Sequence, residues 1–367
     1  MLDEKKNLMI RFLTVLIILY TLGFSGCSHS VDVGPITPKL KDPKTYTWTI
    51  DTLLYHPYPQ YTASTMITSI RGINDTLIFA TGEEEWNGRG AMWKHNGTQW
   101  ERVKLFSFEG GVLTSPFAFN SVNAFSENDI YAFGDAYTNK TGSWVSSGLA
   151  IHFDGTRWEK IPLPKGGAIH SAISPNPSQI YCGGREGSLY YFNGKEWSLD
   201  TIKSMIRPDL EVFTTVVSTT IDNAIYLEAN ENDPKTGQRY FQFIKYKDKK
   251  TTILDSSVNV DSWGGLSFWK SSSGKIYSCG SNGIYRFTGE KWQKFASLSR
   301  MYSIYGLNDE HIFALGSDQL YFYDGQTWSS IYTFNDPSIF IARIWCSENQ
   351  IFVAFTNGYL SYVLRGK

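Results

Sequence analysis

Three stretches of the chain gather side chains that could do chemistry: EEEWNGRG at 83–90, DAYTNKTGSWVSSG at 135–148 and EANENDPKTGQR at 228–239. Each mixes carboxylates with amides and aromatic rings. The candidates are Glu84, Glu85, Trp86 and Arg89 in the first, Asp135, Tyr137 and Trp144 in the second, and Glu231, Asp233 and Arg239 in the third, joined by Trp263 from a separate connection. Aromatic rings beside polar groups suit the face of a sugar or the anchor of a protein partner. Two carboxylates about 5 to 9.5 Å apart would instead suit glycoside hydrolysis. A linear sequence does not give that separation.

Other chemistries find less support. The six histidines, His29, His56, His95, His152, His170 and His311, form no HExxH or HxH pair, and the chain has no GxSxG or phosphate-binding glycine loop. Asn230-Glu231-Asn232-Asp233 before Gly237 lacks the DxDxDG register of a calcium loop. No catalytic residue, metal or cofactor is therefore expected. The formal net charge is −1, and the longest basic cluster, Lys245 to Lys250, is broken by Tyr246 and Asp248. That excludes the clustered positive field nucleic acid requires. Cys182, Cys279 and Cys346 lie in apolar runs without a CxxC spacing and read as small buried hydrophobes.

The elements that must position these groups follow from a repeat. Composition already leans towards many short strands joined by tight turns, with 16% aromatic residues, 19% charged residues and 32 glycines. Ser121 and Ile130 recur at the same offset as Ser69 and Ile78, Ser171 and Ile180, Ser267 and Ile276, and Ser303 and Ile312. Val216 with Ile225 and Ala342 with Ile351 complete seven copies, and Tyr or Phe follows every isoleucine. Each copy reads as a hairpin around a polar turn. A second motif follows in five of them: KHNGTQW, HFDGTRW, YFNGKEW, RFTGEKW and FYDGQTW. Its apolar residues alternate with period two, its glycine supplies a positive φ, and its tryptophan opens a fourth strand.

Four strands per copy, repeated seven times, predict an all-β, seven-bladed β-propeller of four-stranded antiparallel blades. The seventh copy ends without its tryptophan strand, whereas TYTWTIDTL at 45–53 has a tryptophan strand and no blade ahead of it. The amino-terminal strand is therefore expected to complete the last blade. Trp48, Trp100, Trp158, Trp197, Trp292 and Trp328 become structural joints between blades. The fourth copy carries KYKDKKTT in place of the motif and is expected to be less regular there. The inserted segments at 83–90, 135–148 and 228–239 become loops on one face of the ring, where insertions cost little stability.

HFDGTRW and its variants resemble the Asp-box of sialidase-like propellers, without the residue that usually separates Asp from Gly. In that family the box lies away from catalysis, so the resemblance implies architecture over about residues 45–367 and no activity. Lys5 and Lys6, the apolar run Phe12 to Phe24, and Ser25-Gly26-Cys27 resemble a lipoprotein signal peptide and its lipobox, with Phe24 in place of the usual leucine. That resemblance implies removal of residues 1–26, acylation (such as palmitate) at Cys27, and a lipidated linker over 27–44. Ser28 after the cysteine points by analogy to the outer membrane of a bacterial cell envelope. As a whole the chain resembles propeller lipoproteins of Bacteroidota-like bacteria. It is expected to be a monomeric, non-enzymatic binder of a glycan or an envelope protein that touches the membrane only through its anchor. A polysaccharide-acting hydrolase or lyase, and an envelope-assembly scaffold, stand as alternatives.

Overall fold

The computed structural model describes residues 40–367 apart from 54–64, 85–88, 108–109, 205, 220–223, 260–261, 336–338, 340 and 358–359. Lys41–Lys367 form one unit and Met1–Leu40 another, of which only Leu40 is described. The expected signal peptide, Cys27 and most of the linker lie outside the described residues, as do Glu85 and Trp86.

Strand β1 (Trp48–Leu53) precedes the first blade. Blade one comprises β2 (Thr65–Asn74), β3 (Leu77–Glu84), β4 (Arg89–His95) and β5 (Trp100–Arg102), and blade two β6 (Phe117–Ser126), β7 (Asp129–Lys140), β8 (Ser143–Phe153) and β9 (Trp158–Lys160). Blade three comprises β10 (Ile169–Asn176), β11 (Gln179–Gly184), β12 (Ser188–Phe192) and β13 (Trp197–Thr201), and blade four β14 (Val212–Thr219), β15 (Ile225–Asn232), β16 (Arg239–Lys247) and β17 (Lys250–Val258). Blade five comprises β18 (Ser267–Lys270), β19 (Ile276–Gly280), β20 (Gly283–Phe287) and β21 (Trp292–Ala296), and blade six β22 (Met301–Asn308), β23 (His311–Gly316), β24 (Gln319–Tyr323) and β25 (Trp328–Thr333). Blade seven adds β26 (Ile341–Cys346), β27 (Ile351–Thr356) and β28 (Ser361–Gly366) to β1. Pairing within every blade is antiparallel, and a parallel pair, Arg89 with Phe117, ties blade one to blade two.

The ring closes as the sequence predicts. β1 pairs antiparallel with β28 from Trp48 opposite Gly366 to Leu53 opposite Ser361. Thr47 and Lys367 extend the ladder with reciprocal backbone bonds of 2.9 and 3.1 Å. Gly366 is required there because a Cβ would meet the Trp48 ring at 2.6 Å. The tryptophan then packs on Tyr332 of blade six, with ring centroids 5.0 Å apart.

Local chemistry explains the repeated motif. Asp154 Oδ1 accepts from the backbone N–H groups of Thr156 and Arg157 at 2.8 and 2.9 Å, and Asn193 Oδ1 likewise from Lys195 and Glu196 at 3.0 and 2.9 Å. Asn96 and Asp324 do the same in their own turns. The following glycine has a φ between 88° and 98° in all five copies, a region that side chains with a Cβ avoid. The returning tryptophan lands directly opposite an aromatic residue of the third strand: Phe153 with Trp158, Phe192 with Trp197, Phe287 with Trp292 and Tyr323 with Trp328. These ring centroids lie 5.2 or 5.3 Å apart. Trp197, Trp292 and Trp328 also reach Phe133, Phe243 and Phe295 of the preceding blade. Each cross-blade contact couples a local hairpin to tertiary packing, and a buried aromatic ring contributes about 1.5–3 kcal/mol relative to exposure.

Seven apolar clusters occupy the seven interfaces between consecutive blades, from Phe79, Met92 and Leu149 between blades one and two to Trp93, Phe352 and Val363 between seven and one. Cys182, Cys279 and Cys346 fall in three different interfaces, as buried thiols. Around the axis the recurring serines have a definite task. Ser69, Ser171, Ser267 and Ser303 accept through Oγ from the N–H of Val122, Val216, Ile304 and Ile344 on the next innermost strand. The bond to Ser171 is the shortest, at 2.8 Å.

Two expectations change. The fourth blade closes its outer hairpin without the motif, because Asp248 and Lys249, with φ of 50° and 60°, make a two-residue turn between paired Lys247 and Lys250, and its irregularity is a register shift further along, between Phe243 and Ile244. The second insertion is strand rather than loop. β7 and β8 run on as a ladder to Lys140 opposite Ser143, turning through Thr141 and Gly142 at φ 52° and 91°.

Candidate functional site

Antiparallel alternation places the second-to-third strand connections and the interblade connections on one face of the ring. The other face carries the short turns and the Thr47–Lys367 end of the closing ladder. On the loop-bearing face, a cleft of about 440 Å³ opens between blades three and four, lined by His170, Phe213, Thr214, Thr215, Glu228, Asn230, Asn232 and Arg239.

Period-two alternation along β15 turns Glu228, Asn230 and Asn232 to one side, where Phe213 and Thr215 of β14 are their cross-strand neighbours. Phe213 forms the apolar floor. His170 stands at a β-bulge before Ser171, which turns its ring onto Phe213 at 5.8 Å between centroids. Arg185, from the tight turn after β11, covers the same phenyl ring at 5.3 Å. Its guanidinium donates to both Glu211 oxygens, Nε at 3.0 Å and Nη2 at 3.4 Å. His170 stays exposed at the cleft surface, yet partial desolvation against its neighbours, and next the Arg185 charge, hold its imidazole below its usual pKa, with Glu211 opposing them. The ring is therefore neutral at pH 7, with one nitrogen to donate and one to accept.

The carboxylates around the cleft are engaged. Glu228, buried at 5% exposure, accepts from the Trp263 indole at 3.1 Å. Glu231 is sealed in and accepts from the Ser204 hydroxyl. Asp233 accepts from the Lys235 N–H and the Thr236 hydroxyl, both at 2.9 Å, with Arg207 Nη2 at 3.0 Å. These bonds hold its carboxyl below the usual range, the Lys235 bond most of all. Asp135 accepts from Asn120 Nδ2 and the Tyr137 hydroxyl, each at 3.3 Å. By contrast Arg239 is exposed, and its backbone is what is fixed: its N–H donates to Asn259 Oδ1 and its carbonyl accepts from the Asn259 N–H. Its guanidinium stands at the lip of the cleft.

The sequence candidates thus separate. Arg239 lines the cleft. Glu231, Asp233 and Trp263 are buried within the fold around it, and Trp263 at 0% exposure anchors the core rather than a surface. Asp135 and Tyr137 lie on the same face in blade two. Trp144 stands apart at the tip of the β7–β8 hairpin, 61% exposed. Glu84 and Arg89 are register partners at the loop end of blade one. His170, Arg185 and Phe213 were not among the candidates. A usable signal existed for His170: it immediately precedes a recurring serine, the position of bulged Thr68 and Asn120 in blades one and two. Among the described residues no cluster of His, Cys, Asp and Glu could hold a metal ion.

No protein-family model and no curated protein matches the sequence. Solved structures match its shape. YCF48 bound to D1 peptide is similar over 89% of this chain and 97% of its own, with 18% identity and a TM-score of 0.51. The WD40 β-propeller domain of Doa1 covers 87% and 97%, at 14% identity and a TM-score of 0.50. The WD40 repeats of RRP9 cover the same shares, at 9% identity and a TM-score of 0.52. The class so defined is a WD40-like seven-bladed β-propeller. At these identities the likeness is one of fold.

Proposed function

We propose that this chain is a non-enzymatic binding module whose loop-bearing face takes a segment of a protein partner in the cleft between blades three and four. One observation carries the reading: the carboxylates around the cleft are occupied by protein donors, while Arg239, Asn230, Asn232 and His170 present polar groups around a phenyl floor. An extended peptide supplies carbonyls, carboxylates and an apolar side chain to match. The peptide seen on the YCF48 propeller supports the same use of the fold. A glycan is the second reading, favoured by the exposed indole of Trp144, which suits a sugar face.

Envelope attachment through Cys27, in the outer membrane and as a monomer, belongs to this proposal. The closing ladder ends at Thr47 and Lys367 on the turn face, opposite the face that carries the cleft. The test is a peptide display library and a polysaccharide panel, each probed with wild type and Arg239→Ala. Selected peptides are expected to lose about tenfold in affinity or more with Arg239→Ala. Turnover of any polysaccharide, or equal peptide binding by the variant, defeats the reading. Lipid labelling that persists in Cys27→Ala defeats the anchoring.

A further inference from the structure

One blade interface departs from the other six. Six of the seven apolar clusters between blades take in the tryptophan of the later blade's outer strand, whereas the cluster between blades three and four, among the described residues, takes in none. The sequence supplies the cause. Phe192 with Trp197, Phe287 with Trp292 and Tyr323 with Trp328 are register partners five residues apart, and the pair with that offset and register in blade four is Tyr246 with Thr251. Thr251 is exposed.

A cavity of about 200 Å³ lies beside that hairpin, lined by Tyr181, Leu189, Tyr191 and Asp200 of blade three and by Ile225 and Tyr246 of blade four. Strand alternation sets these groups on the facing sides of the two blades: Tyr181 is opposite Tyr191, Leu189 opposite Asp200, and Ile225 opposite Tyr246. The Tyr181 and Tyr191 rings stack with centroids 4.8 Å apart. The Tyr246 hydroxyl crosses the interface and donates to Asp200 Oδ2 at 2.7 Å. A carboxylate accepts at both oxygens, so Oδ1 can take a further N–H, with Lys249 Nζ 4.0 Å away. Ile253, two residues after Thr251 on the same side of β17, is 48% exposed. The cavity stands at the turn-face end of the interface and shares no lining residue with the cleft at its other end.

Pockets for drug-sized ligands begin at about 300 Å³, so this one suits a single ring. Tyrosine walls favour an aromatic ring, and the carboxylate at their edge favours one that carries an N–H. The chain itself fills the matching place in six interfaces with an indole. No tryptophan precedes Trp48, so the segment ahead of the ring has none to offer. We propose that the cavity is a docking site for the tryptophan side chain of a partner protein, which completes the interface between blades three and four as the chain's own tryptophans complete the others.

Ligand-observed NMR titration of the whole chain with N-acetyltryptophanamide tests the site. Wild type is expected to bind it saturably, with a Kd on the order of millimolar, and to bind N-acetylphenylalaninamide more weakly. Thr251→Trp supplies the indole from within: it should lower the affinity about tenfold or more and raise the melting temperature. Tyr191→Ala, which takes away one wall, should weaken binding roughly two- to tenfold, the range of one aromatic pair. Peptides selected for the cleft should bind Thr251→Trp as they bind wild type, so failure here is distinguishable from failure of the cleft. Absence of saturable binding by wild type, undiminished binding by Thr251→Trp, or equal affinity for the phenylalanine amide overturns the proposal. Binding of free indole without binding of the tryptophan amide would assign the cavity to a small free molecule instead. Self-association of wild type that Trp144→Ala abolishes would assign it to a second copy of this chain, and either result also overturns the proposal.

Discussion

His311 ties the stability of this ring to acidity through one side chain. It opens β23 almost fully buried, with its ring 4.6 Å from Phe322 and 5.3 Å from Phe313. Burial disfavours the imidazolium and holds the pKa at about 4, against a small opposing effect of Asp42. A base whose pKa falls on folding binds its proton more readily in the unfolded chain. Its contribution is therefore complete above about pH 6.5 and is lost as pH falls towards 4. Between pH 7.5 and pH 5 this group alone should remove roughly 2 kcal/mol. Urea unfolding of wild type and His311→Phe at both pH values should show that difference as the part of the acid sensitivity missing from the variant. Equal sensitivity in the two proteins would mean that the imidazole is not the group responsible. Asp233 makes a related point about reading carboxylates from a sequence. Its place in a polar inserted segment made it a candidate binding residue, yet its oxygens brace the turn that follows β15.

Among elements, the innermost strands are joined by side chain rather than ladder. Ser171 accepts from the Val216 N–H at 2.8 Å, the shortest of four equivalent bonds, whereas Ser69 accepts from Val122 at 3.4 Å. Removing the hydroxyl leaves a buried amide without its acceptor, at a cost of about 1–3 kcal/mol. Ser171→Ala should therefore destabilise the ring more than Ser69→Ala in guanidinium titrations, and the reverse order would count against these bonds as the junction between blades. The serines were legible as a repeat, but their partner was not, because it lies on the next strand some 45 residues away. The same limit hid the cleft. His170 and Phe213 are 43 residues apart and meet only because neighbouring blades bring β10 and β14 together.

For the molecule as a whole, closure decides cooperativity. Cys346 packs between blades six and seven, Cys279 between five and six, and Cys182 between two and three. All three thiols are buried, so native protein should resist thiol reagents. Deleting residues 1–53 removes β1 and leaves the edge of β28 open. Mass-spectrometric labelling should then find Cys346 reactive well before Cys182. Simultaneous labelling of all three would mean that the ring unfolds as one body and that the last blade has no local opening. Wild type should expose them together, since each interface borrows stability from the next.

Alternation, turn residues and a phase kept over seven copies determined the blades, their number and their closure, because those signals are local and a strand shows its faces within a few residues. KYKDKKTT misled for the same reason: a two-residue turn with both residues at positive φ can be built without glycine, and its sequence does not announce it. Only the tertiary structure decided that Glu231, Asp233 and Trp263 are internal and that Arg239 stands at a cleft with His170 and Phe213. Each of those depends on contact between strands far apart in the chain. A carboxylate in a polar segment has the same neighbours in sequence whether it meets a ligand or a backbone amide.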